Sequence, residues 1–328
     1  MKAIIPAAGV GTRLRPITNT TPKALVQVGD RPIIGHILDR ISALDISNII
    51  IVIGYLGELI KEYVHNNYPH LNVEYIYQRE RHGLGHAIWL CGDSIKSDEE
   101  ILIVYGDTIV EGNLGAILKT EGDGALGVRH VPDPERFGIV KLDGDRIISM
   151  IEKPIEFIGD LALIGFNFIR KPQDLFTALN FIVENDLRTR GEIQLTDAFQ
   201  IMVESGTNFR AFIVDDWFDC GKPEELITTN RHIIEQLHTE PKGEDCVFIQ
   251  PVYIAPNAVV KDSIIGPNVT ISSGANIERC ILSDTVVNPD ASMRGCFLSH
   301  SLIGIGAVIN QSARNLILGD YASIEGAL

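Results

Sequence analysis

The apolar positions of this chain follow two different periods. Through residue 235, solid apolar runs alternate with runs at helical spacing. Ala3-Ile4-Ile5, Ile49-Ile50-Ile51-Val52-Ile53 and Ile101-Leu102-Ile103-Val104 are solid and predict buried strands. Ile33, Ile34, Ile37, Leu38, Ile41 and Leu44 predict a helix with one buried face. Leu59, Ile60, Tyr63 and Val64 predict a second helix, Gly83 to Cys91 a third, and the alternation from Val73 to Tyr77 a strand. Later stretches around Phe137-Gly138-Ile139-Val140 and Ile151-Glu152 read as strands of a smaller, partly antiparallel layer. Such alternation predicts a Rossmann-like α/β domain over residues 1–235, with a mixed, mostly parallel sheet. Ligands of these sheets sit beyond the carboxyl ends of the strands. The loop at Gly9, Gln78 and Asp107 each follow a predicted strand, so they are expected to share one rim.

Residues 236–250 are polar, contain Pro241-Lys242-Gly243-Glu244-Asp245, and read as a linker. From 251 to 328 the period changes. Aliphatic residues stand six apart in the pairs Ile254 and Val260, Ile271 and Ile277, Val287 and Met293, Ile303 and Ile309, and successive pairs begin 17, 16 and 16 residues apart. Ile265, Leu282 and Leu298 mark a third corner at similar steps. Three inward residues per turn predict a three-sided β-helix, with Cys280 and Cys296 stacked one coil apart. A short stack has ends and faces to cover, so a homo-oligomer is expected.

The formal charge of −15 argues against a nucleic-acid or anionic-membrane partner. It also makes a local cluster of cations informative. The five cysteines are widely spread, show no metal-ligand spacing, and fit free thiols in a reducing compartment. No apolar run approaches the ~20 residues of a membrane span, and a cytoplasmic location is expected.

The cation cluster lies at the start. Ala7-Ala8-Gly9-Val10-Gly11-Thr12 is a loop of small residues after a strand, followed by Arg13, Arg15 and Lys23. Such a loop lets backbone N–H groups converge on an anion, and the cations add charge-assisted bonds to phosphate. The dinucleotide fingerprint is not met, since position 14 is Leu, and no Gly-Lys-Ser/Thr follows for a P-loop. Gln78 has an amide that can pair with the edge of a base. Asp107, behind Gly106 and just past a buried strand, is placed to hold Mg²⁺, which takes oxygen ligands.

Taken whole, A-A-G-x-G-T-R-L-R-P-x-T at Ala7 to Thr18, then P-K-A-L at Pro22 to Leu25, resembles the signature of sugar-1-phosphate nucleotidylyltransferases. The resemblance implies transfer of a nucleoside monophosphate from an NTP to a sugar 1-phosphate. Ala8, Gly9, Gly11, Thr12, Arg13 and Arg15 would bind the triphosphate, with Arg13, Lys23 and Lys153 acting on the reacting phosphates. Gln78 and Gly83-Leu84-Gly85-His86-Ala87 would hold the base, in a version most like the uridylyltransferase branch, which leaves UTP and dTTP both open. The segments F-G-x-V, E-K-P and G-F would place Gly138, Glu152, Lys153 and Gly165 around the sugar. W-x-D-x-G-x-P, at Trp217 to Pro223, would supply Asp219 as a second Mg²⁺ carboxylate beside Asp107. Thr108 departs from the Asn common in the thymidylyl branch. Arg190-Gly191-Glu192 resembles a further segment in which Glu192 reaches the sugar, while Asp197 reads as structural, in the first turn of a helix.

The tail resembles the left-handed parallel β-helix of several nucleotidylyltransferases. Its only histidine, His300, argues against a second, acyl-transferring site. The expected activity is Mg²⁺-dependent formation of a UDP- or dTDP-sugar, with glucose 1-phosphate as the default acceptor. The alternatives are a non-catalytic sugar-nucleotide sensor, a guanylyl, adenylyl or amino-sugar-specific relative, and a dehydrogenase.

Overall fold

The computed structural model describes residues 1–310; the stretch 311–328 of the expected β-helix lies outside the described residues. The chain forms two compact units, residues 1–229 and 230–328. Through residue 236 the order is β1 (Lys2–Pro6), β2 (Gln27–Val28), β3 (Arg31–Pro32), α1 (Ile33–Ser42), β4 (Asn48–Ile53), α2 (Gly57–Asn67), β5 (Asn72–Tyr77), α3 (Leu84–Trp89), β6 (Ile101–Val104) and β7 (Thr108–Glu111), then β8 (Gly124–His130), β9 (Gly138–Asp143), β10 (Arg146–Glu152), β11 (Leu161–Ile169), α4 (Pro172–Glu184), α5 (Leu195–Glu204), β12 (Phe209–Ile213), β13 (Asp216–Asp219) and α6 (Pro223–Gln236).

The first unit is built on one nine-stranded sheet in the order β5-β4-β1-β6-β11-β8-β12-β10-β9. From β5 to β6 every pairing is parallel, as the solid apolar runs require of strands covered on both faces. β11 then enters antiparallel between β6 and β8. It is buried along its whole length, Leu161 to Ile169, and so sits at the centre of the sheet. β9 and β10 pair antiparallel at the far edge. The antiparallel pairing expected around Phe137–Val140 and Ile151–Glu152 is formed, but these strands extend the main sheet rather than form a smaller layer. Long-range strand order carries no local signature: β9 also pairs with β11, Ile139 beside Ala162, and Gly138 to Val140 are buried. Helices α3, α4 and α5 contribute Ile88, Leu179 and Phe199 to the core against the sheet residues Ile4, Ile103 and Leu126. A separate pair, β7 and β13, runs antiparallel beside the sheet.

The second unit stacks parallel strands in coils. Ile254 pairs with Ile271, Ile271 with Val287, and Val287 with Ile303. Val260, Ile277, Met293 and Ile309 form a second row, and Ile265, Leu282 and Leu298 a third. These rows are those read from the periodicity. Cys280 and Cys296 stand one coil apart with Sγ atoms 3.2 Å from each other, both reduced and buried. Val247–Phe248, inside the stretch read as linker, pairs with Ile264–Ile265 and begins the stack. Two strand residues among turn formers leave no period to detect. The step from 17 to 16 has a local cause. Ile265 still pairs with Leu282, but Val269 pairs with Thr285, so the first coil carries one extra residue at the corner Gly266-Pro267-Asn268. No helix among the described residues is long and apolar enough to cross a membrane.

That corner yields a stability test. A Cβ on Gly266, at φ +112°, would lie 1.8 Å from the Ile249 carbonyl oxygen, whereas one on Gly306, at φ +62°, meets nothing within 4 Å. Gly266→Ala is expected to destabilise the protein by about 2–3 kcal/mol in urea denaturation, and Gly306→Ala by about 1 kcal/mol.

Candidate functional site

A cleft of about 510 Å³ opens along the carboxyl ends of β1 and β6, lined among others by Gly9, Lys23, Gln78, Gly83, Asp107 and Glu192. The expected common rim is thus formed by the structure. Ala8, Gly11 and Thr12 also line it. Gly106 brings Asp107 to the glycine loop, because its N–H bonds the Pro6 carbonyl at 3.2 Å and a Cβ there would lie 2.7 Å from that oxygen. Gly11 takes φ +67°, and its carbonyl accepts from Thr18 Oγ1 at 2.7 Å, which fixes the loop. Leu14, where a dinucleotide fold would place glycine, is instead buried in the core.

Lys23 Nζ donates to Asp107 Oδ2 at 2.6 Å. Burial alone would push the Asp107 carboxyl up; Lys23, then the Thr108 hydroxyl and Arg13, outweigh it and hold the group below the usual carboxylate range. Thr108, in place of the Asn of the thymidylyl branch, donates to Asp107 Oδ1 at 3.3 Å. Asp219 arrives from β13. Its strand pairs with β7 so that Asp219 faces Thr108, and Cys220 N–H donates to the Asp107 carbonyl at 3.0 Å. The two aspartates, far apart in sequence, come to one place. Asp219 is pushed up to about 6, first by burial, then by the charges of Asp107 and Glu225.

One residue here escaped the sequence reading. Arg136 Nη2 lies 3.3 Å from Asp219 Oδ2 and 2.9 Å from Glu225 Oε1, while Nη1 bonds Asp133. Its guanidinium also rests 5.2 Å from the Phe137 ring centroid. Arg136 sits in a short turn, Pro134–Arg136, and only the motif F-G at its border hinted at it. Arg13 reaches the same region: a Cβ on Gly221 would meet Arg13 Nη2 at 2.9 Å and Asp219 Oδ1 at 2.8 Å. Arg15 is different. It is exposed, does not line the cleft, and its side chain makes no hydrogen bond or ion pair among the described residues.

The base-side residues pack tightly. Gln78 is 6% exposed, and its Nε2 donates to the Gly83 carbonyl at 2.9 Å. The glycines of Gly83-Leu84-Gly85 admit the protein's own chain. A Cβ on Gly83 would lie 2.6 Å from the Ile193 carbonyl oxygen, and one on Gly85 2.9 Å from that of Gln194. Gly83 also lines the cleft. The same docking carries Glu192 into the cleft wall. Asp197 lies in the first turn of α5, as expected.

The residues expected around a sugar also assemble. Glu152 is nearly covered: Oε2 accepts from Thr196 Oγ1 at 2.7 Å, and Oε1 lies 3.4 Å from Lys153 Nζ. A Cβ on Gly138 would strike that Thr196 hydroxyl at 2.7 Å. Gly165, at φ +79°, leaves room for the Tyr105 ring, which a Cβ would meet at 2.1 Å. Tyr105 in turn lines the cleft and feels the charges of Glu152 and Asp107, which with burial push its hydroxyl up. It thus joins the sugar-side group to the aspartates; Thr196, beside Asp197, and Tyr105, beside Gly106, stand within motifs of the sequence that assign them no role.

Among the described residues no group of three or more His, Cys, Asp or Glu side chains is arranged to hold a metal. Two neighbouring carboxylates of like charge nevertheless suit Mg²⁺, which takes one or two carboxylates and fills its shell with phosphate and water.

Known proteins place this geometry. A glucose-1-phosphate thymidylyltransferase of Streptomyces antibioticus is 28% identical, over 99% of this chain and 99% of its own. The UTP--glucose-1-phosphate uridylyltransferase AglF of Haloferax volcanii is 33% identical, over 72% of this chain and 98% of its own. Among solved structures, a putative glucose-1-phosphate thymidylyltransferase from Bacillus anthracis superposes with a TM-score of 0.63 at 26% identity, covering 74% of this chain and 98% of that one. Residues 2–236, the stretch that builds the nine-stranded sheet and the cleft, match the nucleotidyl transferase family, and the chain is a member of it.

Proposed function

We propose that this nucleotidyltransferase transfers a nucleoside monophosphate from UTP or dTTP to a sugar 1-phosphate, with glucose 1-phosphate as the acceptor, and releases pyrophosphate. The observation that carries the reading is the single cleft in which the glycine loop, the Lys23–Asp107 pair and Gln78 face one another. It has an anion cradle, a cation-neutralised carboxylate and a base-side amide along one wall. The names of the relatives from Streptomyces antibioticus and Haloferax volcanii support the same chemistry.

This reading gives each group a role. Backbone N–H groups of Gly9 to Thr12, with Arg13, cradle the triphosphate; exposed Arg15 assists from outside the cleft. Lys23 and Lys153 neutralise the reacting phosphates, and Gly138, Glu152 and Gly165 shape the sugar side. The reaction is an in-line displacement at the α-phosphorus by a phosphate oxygen of the acceptor, and it depends on positioning and on charge neutralisation. Asp107 and Asp219 would hold Mg²⁺, which supplies Lewis-acid polarisation of a phosphoryl oxygen. The tail serves assembly of copies of the chain.

The decisive assay is pyrophosphate release with glucose 1-phosphate and Mg²⁺ across UTP, dTTP, ATP, GTP and CTP. Release with UTP or dTTP is expected; turnover with purines alone would overturn the reading. Asp107→Asn should lose at least about 100-fold in kcat at saturating substrates. Wild-type turnover by that variant would remove Asp107 from the site. Asp219 gives a pH test with a definite sign. Its folded pKa of about 6 lies above the ~3.9 of an unfolded Asp, so the stability it contributes is full below the lower value and lost as pH rises through 6. Asp219→Asn should therefore melt higher than wild type at pH ~8, converge with it below pH ~4, and lose activity at both.

A further inference from the structure

We propose that His86 is a positioning residue that, with the Gly83 carbonyl, holds the Gln78 amide oxygen outward and thereby favours a pyrimidine carrying a ring N–H over cytosine. The inference rests on the nucleotide-binding reading of the cleft.

The hydrogen-bond arithmetic at Gln78 is closed. The Gly83 carbonyl can only accept, so the amide atom 2.9 Å from it is the nitrogen. That nitrogen has a second hydrogen, and His86 Nδ1 lies 3.1 Å away. Nδ1 must then accept, which makes His86 the neutral tautomer with its proton on Nε2. Both hydrogens of Nε2 are thus committed inside the protein. Oε1 takes no hydrogen bond from the described residues and is not among the sealed atoms that lack a partner. Since Gln78 lines the cleft, Oε1 is the acceptor left for a ligand.

An outward acceptor discriminates. Uracil and thymine present N3–H, a donor, where cytosine presents a bare N3, an acceptor. Turned over, the same amide would offer N–H and favour cytosine. The Gly83 carbonyl opposes the turn, because an outward Nε2 would leave Oε1 facing it, acceptor against acceptor, and His86 would lose the N–H it accepts until its own proton moved to Nδ1.

The histidine is held for this task. Its ring stacks on Trp89, with centroids 5.7 Å apart, and meets the edge of His82 at 5.0 Å. The charged and titratable groups that act on it are His82, Glu80 and Arg188. Burial, followed by His82, lowers its pKa below the usual histidine value, and Glu80 opposes them. His86 is therefore neutral at pH 7. On acidification its Nδ1 gains a proton and confronts the Gln78 N–H₂, donor against donor, and the preference for N3–H must weaken.

The test is equilibrium binding of UTP, dTTP and CTP to the full chain by titration calorimetry, at pH about 8 and about 5.5. Wild type should bind UTP or dTTP at least about tenfold more tightly than CTP at the higher pH, and the margin should shrink several-fold at the lower. His86→Asn places an amide oxygen where Nδ1 stands and takes no proton in this range, so it should keep its margin at both pH values. His86→Leu leaves the Gly83 carbonyl alone to hold the amide and should narrow the margin several-fold at both. A wild-type margin independent of pH, or one kept by His86→Leu, would overturn the proposal. Binding of none of the three pyrimidine nucleotides, with a purine nucleotide bound instead, would overturn the reading of the cleft and this inference with it.

Discussion

Two carboxylates that repel each other organise the catalytic unit. The antiparallel pairing of β7 with β13 brings Asp107 and Asp219 together, and the backbone bond from Cys220 to the Asp107 carbonyl fixes the approach. Buried like charges are costly unless cations answer them. Lys23 answers Asp107 and Arg136 answers Asp219, while Arg13 acts on both. The asymmetry has a consequence. One carboxyl is held low and the other pushed up, so two aspartates in one place differ in how readily each takes a proton.

The glycines follow from the same demand for proximity. Gly106 draws the end of β6 against β1, and Gly221 leaves room for Arg13 beside Asp219. Gly83 and Gly85 let the 192–194 segment dock, which builds the wall carrying Glu192. Gly138 and Gly165 do the same for Thr196 and Tyr105. In each case the missing Cβ is replaced by another part of the chain, and the cleft exists because its walls could close around it.

Much of this was legible in the sequence, for unequal reasons. The rows of the tail were readable to the residue because each coil repeats the last, and parallel stacking turns a period into a contact. The parallel half of the sheet was readable from solid apolar runs. The place of β9 and β10 was not, because β11, which separates the two halves, is distant in sequence from all its partners. The meeting of Asp107 with Asp219 came from motif resemblance alone; nothing local ties residues 112 positions apart. Arg136 was missed because its partners Asp219 and Glu225 lie 83 and 89 positions away, and its own turn looks like any charged loop. His86 stood inside a quoted motif, yet its meaning depends on which hydrogens of Gln78 are already spent.

The extra residue at Gly266-Pro267-Asn268 bears on how such a tail can lengthen. It sits at a corner, where it bulges without turning any side chain inside out, so the rows above and below it stay in line. The same residue placed within Val269–Ile271 would swap inward and outward faces for the rest of that side. Corners therefore tolerate single insertions, and flat sides accept growth only by whole coils. A lineage can vary the height of this column freely while its cross-section stays constant.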